Sequence, residues 1–163
     1  MFARSRSRRL HADVTARCAA FGLLVALALV GCGGAKAPSK AAYVKKANAI
    51  CTQFNNRGAA ATRGLARNPQ HPTPREAQAI VRKLNPITRE SVRRTRALKP
   101  PKGDGKKVKA IYDAADQGTA AYERASKSPN ASLAILNTSG TPRDPYGRAN
   151  RLAKAYGLTA CAG

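Results

Sequence analysis

The amino-acid sequence predicts an all-α protein whose folded part, residues 41–163, is a small four-helix bundle. Three observations lead there. Apolar residues recur at helical spacing in four stretches, helix-capping signals stand at the ends of those stretches, and no stretch shows strand-like alternation or a wealth of β-branched residues. At 163 residues the chain has the length of one domain with one modest core.

The chain opens on a segment that does not belong to that core. Arg4, Arg6, Arg8, Arg9 and Arg17 stand against one acid, Asp13, and are followed by a nearly unbroken apolar run from Cys18 to Val30. A bilayer span needs ~20 apolar residues, and this run is shorter, so residues 1–31 read as a cleaved signal peptide and not as a structural membrane helix. Its end, Leu29-Val30-Gly31-Cys32, resembles the lipobox of bacterial lipoproteins. The resemblance implies that the Cys32 thiol accepts a diacylglyceryl group as a thioether. Cleavage then makes Cys32 the first residue, and the protein is held by membrane lipid at the extracytoplasmic face of the cell membrane. An ordinary secretory signal cut near Gly33 or Gly34, and an uncleaved anchor, are the alternatives. Ser7-Arg8-Arg9 is similar to a twin-arginine export signal but departs from it at His11, where an apolar residue is usual. Residues 32–40, with Gly33, Gly34, Pro38 and Ser39, form a flexible lipidated tether.

Four cysteines then reduce to one pair. Cys18 lies in the signal and Cys32 is consumed by the lipid, which leaves Cys51 and Cys161, 110 residues apart. Outside the cytoplasm no glutathione pool keeps thiols reduced, so these two are expected to form a disulfide that staples the bundle. Metal binding is the competing reading. Two cysteines and His71 do not complete a tetrahedral zinc site, and no C-x-x-C spacing occurs, so neither a metal nor a cofactor is expected.

The first helix is expected from Ala41, with Ser39 as its cap and Tyr43, Val44, Ala47, Ile50, Cys51 and Phe54 on the inner face. Lys45, Asn48, Thr52 and Asn56 fall on the outer face, and the helix fades before Asn68-Pro69. Thr73-Pro74-Arg75-Glu76 announces the second helix: threonine caps, proline takes the first helical position, and Glu76 closes a capping box. Its apolar stripe is Ala77, Ile80, Val81, Leu84, Ile87, Val92 and Leu98; Pro86 should kink or split it, and Pro100-Pro101 stop it. A third helix follows Asp104, its candidate cap, and carries Val108, Ile111, Tyr112, Ala115, Thr119 and Tyr122 inward. Residues 131–136 read as a short turn that lays Leu133, Ile135 and Leu136 on the core. Thr141-Pro142-Arg143-Asp144 opens the last helix, with Tyr146, Ala149, Leu152, Ala153 and Tyr156 inside, and Gly157 with Leu158 supplies a left-handed C-cap. So many inward alanines bury little area, which gives a staple between the first helix and the C-terminus a physical purpose.

Tyr43 with Ala47-Asn48-Ala49-Ile50-Cys51 near the start, and Tyr156-Gly157-Leu158-Thr159-Ala160-Cys161 at the end, resemble small secreted or lipid-anchored helical proteins of high-GC Gram-positive bacteria. Such proteins more often carry aspartate where this chain has Asn48. The likeness covers two short ends and implies the fold and the disulfide, without an activity.

The formal charge is +22. Loss of residues 1–31 removes five arginines and one aspartate from the 30 basic and 8 acidic groups and leaves +18. Part of this surplus is compositional, and a solvated basic surface needs no partner. Placement argues for more. Arg75, Arg82, Arg89 and Arg96 repeat every seventh residue, joined by Arg93, and form a stripe opposite the apolar one. Arg93, Arg94, Arg96 and Lys99 suit a helix C-terminus, whereas Lys106, Lys107 and Lys109 crowd a helix start, where positive charge is unfavourable and an anion is welcome. Nucleic acid is disfavoured, because an exported protein meets little of it and no aromatic side chain is interleaved with the stripe. The expectation is a non-catalytic module binding anionic lipid headgroups or phosphate-bearing wall polymers through Arg75, Arg82, Arg89, Arg93, Arg96, Lys106, Lys107 and Lys109. The alternative is a protein-interaction or inhibitory lipoprotein acting on an envelope protein. An enzyme is less favoured: His71 is the lone histidine after the signal, Asp113 and Asp116 read as surface ion-pair partners, and no nucleophile–base set or phosphate loop occurs.

Overall fold

The computed structural model describes residues 36–162. The expected signal peptide, Cys32 and the expected tether up to residue 35 lie outside the described residues. Residues from Ala35 to Gly163 form one compact unit with a core and a disulfide of its own.

Five α-helices and one 3₁₀ turn make up this unit: α1 (Lys40–Thr62), α2 (Pro74–Arg96), α3 (Gly105–Ala125), α4 (Pro129–Leu136), α5 (Gly147–Tyr156) and the turn Thr159–Cys161. The described residues contain no strand. Each long helix packs antiparallel on the next. Gly58 of α1 meets Leu84 of α2, Arg96 of α2 reaches Asp116 of α3, and Asp104, just before α3, reaches Tyr156 at the end of α5. The first and last members of this series, α1 and α5, have no pair of Cα atoms within 8 Å. What closes the bundle at one end is the segment after α5: Cys51 is bonded to Cys161 with Cα atoms 5.1 Å apart, as expected from the cysteine count.

Local signals set several boundaries. The capping box is present: Thr73 Oγ1 accepts from the Glu76 backbone N–H at 3.4 Å, and Glu76 Oε2 accepts from the Thr73 N–H at 2.8 Å. Ser39 caps α1 by accepting from the Ala42 N–H. Gly157 adopts φ 103°, which a Cβ would strain. The turn it makes lets the Leu158 N–H reach the Ala153 carbonyl at 2.8 Å and buries Leu158 completely. The main core joins Tyr43, Ala47, Val108, Ile111, Tyr112, Ala153, Tyr156 and Leu158.

Five expectations need correction. Of the two effects expected of Pro86 the split is absent, since α2 runs unbroken to Arg96. Pro86 and Arg82 are both exposed, where water can satisfy the Arg82 carbonyl that loses its helical donor. Residues 129–136 form a helix, and its buried residue is Ser132, which donates to the Ala125 carbonyl at 2.8 Å, while Leu133, Ile135 and Leu136 are half-buried. Thr141 does not cap α5. Its hydroxyl donates to the Thr138 carbonyl, Asp144 turns the chain by accepting from the Gly140 and Tyr146 N–H groups, and the helix starts at Gly147. Asp104 does stand at the N-cap position of α3, as expected, but makes no side-chain capping bond, its carboxylate accepting instead from the Tyr156 hydroxyl at 2.7 Å. Asn48 is not an outer residue. It donates to the Gly157 carbonyl and accepts from the Ala160 N–H, each at 3.1 Å, while Asn55 one turn beyond Cys51 donates to the Ala160 carbonyl at 2.8 Å. Asn48, Cys51 and Asn55 thus form one edge of α1 that holds the C-terminal turn.

Candidate functional site

The heptad arginines of α2 lie along its seam with α3. Arg82 donates to the Ser126 carbonyl at 3.1 Å, Arg89 pairs with Glu123 at 2.6 Å, and Arg96 pairs with Asp116 at 2.6 Å and Asp113 at 3.6 Å. One helical repeat of two turns on α2 therefore matches successive acceptors on an antiparallel neighbour. Arg93 and Arg94 both clasp Glu90 on their own helix, and these two guanidinium groups hold the Glu90 carboxyl down at about 2. Arg75 is exposed with no partner among the described residues. Of the stripe expected to bind an anion, then, Arg82, Arg89, Arg93 and Arg96 have acceptors within the chain. These pairs are exposed, and each contributes little to stability.

The lysines at the start of α3 divide in the same way. Lys109 pairs with Asp113 at 2.6 Å, which lowers the Asp113 carboxyl below the usual range, and Lys107 lies 3.6 Å from Asp104. Lys106 is exposed and has no carboxylate partner among the described residues. It belongs to a different grouping, one that only the antiparallel packing creates. The start of α1, the end of α2, the start of α3 and the end of α5 share one pole of the bundle. Lys40 sits 4.6 Å above the Tyr156 ring, and the Tyr156 hydroxyl binds Asp104, beside Lys107. That hydrogen bond, ahead of Lys107, holds the Asp104 carboxyl below its ordinary value, while burial and the Asp104 contact push Tyr156 well up. Lys36 and Lys102 are exposed on the segments leading to this pole. The opposite pole is also basic, with Arg63, Arg67, Arg124 and Arg143 exposed. What distinguishes the lysine pole is that the chain runs into α1 there, eight residues after Cys32.

A second feature lies inside. Because α1 and α5 stay apart beyond the disulfide, a cavity of about 440 Å³ remains between α1, α2, α3 and α5. The cavity is half open to solvent; Phe54, Leu84, Ile87, Ile111 and Tyr122 make its apolar walls, and both cysteines of the disulfide line it. Tyr146 forms part of the rim. Its ring rests on Gly118, where an added Cβ would come within 2.5 Å of a ring carbon, and its hydroxyl lies 2.9 Å from Thr119 Oγ1. Burial pushes the Tyr146 hydroxyl up to about 12. The sequence reading placed Tyr146 inside the bundle but gave no sign of a cavity beside it.

Among the described residues no group of three or more His, Cys, Asp or Glu side chains is arranged to hold a metal, and no helix is long and apolar enough to cross a membrane. Asp113 and Asp116 pair with basic side chains, and His71 is exposed in the loop before α2. No family model matches the chain, and no match is found among curated proteins or solved structures.

Proposed function

We propose that the protein is an exported lipoprotein, processed at Cys32 and anchored there by a diacylglyceryl group, whose non-catalytic helical domain rests on anionic headgroups or phosphate-bearing polymers of the cell envelope. The observation that carries this reading is the position of the lysine pole. Lys36, Lys40, Lys102 and Lys106 gather at the end of the bundle where the chain enters α1, eight residues after Cys32, so a lipid on Cys32 would tether that end close to the headgroups. The two acyl chains of the diacylglyceryl group hold the protein at the bilayer, and basic residues beside them draw the domain itself onto an anionic surface. The oxidised Cys51–Cys161 pair suits an extracytoplasmic location. The reading moves the contact surface from the α2 stripe, whose arginines have acceptors inside the chain, to the pole.

The test is co-sedimentation of the domain from Ala35 onward with vesicles containing phosphatidylglycerol, across a salt series. Each basic group near an anionic surface adds ~1 kcal/mol, so changing Lys36, Lys102 and Lys106 to glutamine weakens binding on the order of 100-fold. Changing Arg82, Arg89 and Arg96 to glutamine removes the same charge and leaves binding nearly as it was. Salt-insensitive binding, no binding, or an equal loss in both triple variants would overturn the proposal.

A further inference from the structure

We infer that the interior cavity is a binding site for an uncharged lipid with a single hydrocarbon chain and a hydroxyl- or ester-bearing headgroup. This inference stands whether or not the domain rests on anionic headgroups.

Volume is the first ground. At about 440 Å³ the cavity lies within the ~300–1,000 Å³ range of small-molecule sites, and it is far larger than the gaps that close packing leaves in a domain core. Its walls expose mostly carbon: Phe54 from α1, Leu84 and Ile87 from α2, Ile111 and Tyr122 from α3. A hydrocarbon chain laid along those walls removes them from water.

Charge is the second ground, and it selects the headgroup. The domain after the signal carries a formal +18, yet no lysine or arginine lines the cavity. The one charged lining residue is Asp144, whose two carboxylate oxygens already accept from the Gly140 and Tyr146 N–H groups. Arg94 and Arg96 lie over the Phe54 and Tyr112 rings of the lining but are paired with Glu90 and with Asp113 and Asp116, so a fatty acid or phospholipid headgroup would bring an anion to a site with one carboxylate and no unpaired cation. A neutral headgroup meets no such cost.

Polar side chains without partners are the third ground. Asn85, Thr88 and Ser91 follow one another along the cavity face of α2, and Asn150 faces the cavity from α5. All four are half-buried, and none has a side-chain hydrogen bond within the described structure. Asn48, by contrast, uses both its amide nitrogen and its oxygen to hold the C-terminal turn, and Asn55 uses its amide nitrogen. The four open groups offer two amides and two hydroxyls, which match the hydroxyls and ester carbonyl of a glyceride in both donor and acceptor sense.

Monomyristoylglycerol is the probe, with myristate as its charged counterpart, and binding to the folded, oxidised domain from Ala35 onward is read by native mass spectrometry and by tyrosine fluorescence. The glyceride should bind at least 10-fold more tightly than myristate. Thr88→Phe places a ring in the cavity without removing any hydrogen bond of the fold, and should reduce glyceride binding at least 10-fold while leaving the thermal midpoint unchanged or raised. Ser91→Leu occupies the same wall and supplies an independent reading should Thr88→Phe fail to fold. Equal binding of the two probes, no glyceride binding, or full retention of binding by a folded blocking variant would overturn the inference. Loss of vesicle binding in the lysine variant leaves glyceride uptake intact, so the two proposals fail separately.

Discussion

Reduction of the Cys51–Cys161 bond is the perturbation whose effect the architecture makes largest. The bond closes a loop of 110 residues, and the chain-entropy treatment assigns such a loop about 5 kcal/mol at 25 °C. For a domain of about 130 residues an unfolding entropy of ~2.1 cal/mol/K per residue converts this to a fall in thermal midpoint of about 15–20 °C. The backbones of α1 and α5 do not pack, so beside the bond this closure rests on side chains alone: the Asn48 and Asn55 hydrogen bonds, the buried Leu158 and the edge-on Tyr43–Tyr156 contact. Thermal unfolding followed by circular dichroism, with and without a phosphine reductant, measures the shift. Hydrogen exchange locates it: the Ala160 amide, which donates to Asn48 Oδ1, should lose protection before the amides of α2 and α3. A fall of less than about 5 °C, equivalent to roughly 1 kcal/mol, would refute the view that the disulfide is the principal closure of the bundle.

Three smaller perturbations follow from named contacts. Gly118→Ala drives a Cβ into the Tyr146 ring and breaks the Tyr146–Thr119 hydrogen bond, so the urea midpoint should fall by the equivalent of about 1–3 kcal/mol; a midpoint like the parent's would show that the ring does not rest there. Thr73→Ala removes the cap of α2 at a cost of about 1 kcal/mol, read in the same titration. Glu76, Glu90, Asp104 and Asp113 are all more acidic folded than unfolded, through the Thr73 backbone, Arg93 with Arg94, Tyr156 and Lys109 respectively. As pH falls the unfolded chain therefore binds protons first. Stability should hold from neutrality to about pH 4.5 and decline from there toward pH 2, and a flat urea midpoint across that window would contradict these assignments.

The parts of the fold legible in the sequence are those fixed by neighbours along the chain or by counting. Thr73, Pro74 and Glu76 specify a helix start among four consecutive residues, Gly157 and Leu158 specify a stop, and the cysteine count leaves one pair. Other features depend on partners far away in sequence. Thr141-Pro142 has the letters of a helix cap, yet Asp144 competes for the same turn and wins it with two backbone bonds. Asn48 lies beside Val44 and Cys51 on the helix surface, at the edge of the apolar face, and only the position of the C-terminal turn makes it an inward residue. The arginine stripe was visible as a period of seven; its meaning depended on Asp113, Asp116 and Glu123, whose own spacing on α3 was the overlooked signal. The lysine pole required the direction of each helix, and the cavity required knowing that α1 and α5 stand apart. No local pattern encodes either.

Mass spectrometry of the protein extracted from membranes with detergent bears most directly on the proposed role. A chain that begins at Cys32, heavier by a diacylglyceryl group and with Cys51 and Cys161 joined, is the expected species. A chain beginning at Ala35, an uncleaved chain, or cytosolic protein whose Cys51 and Cys161 thiols are freely alkylated would contradict it.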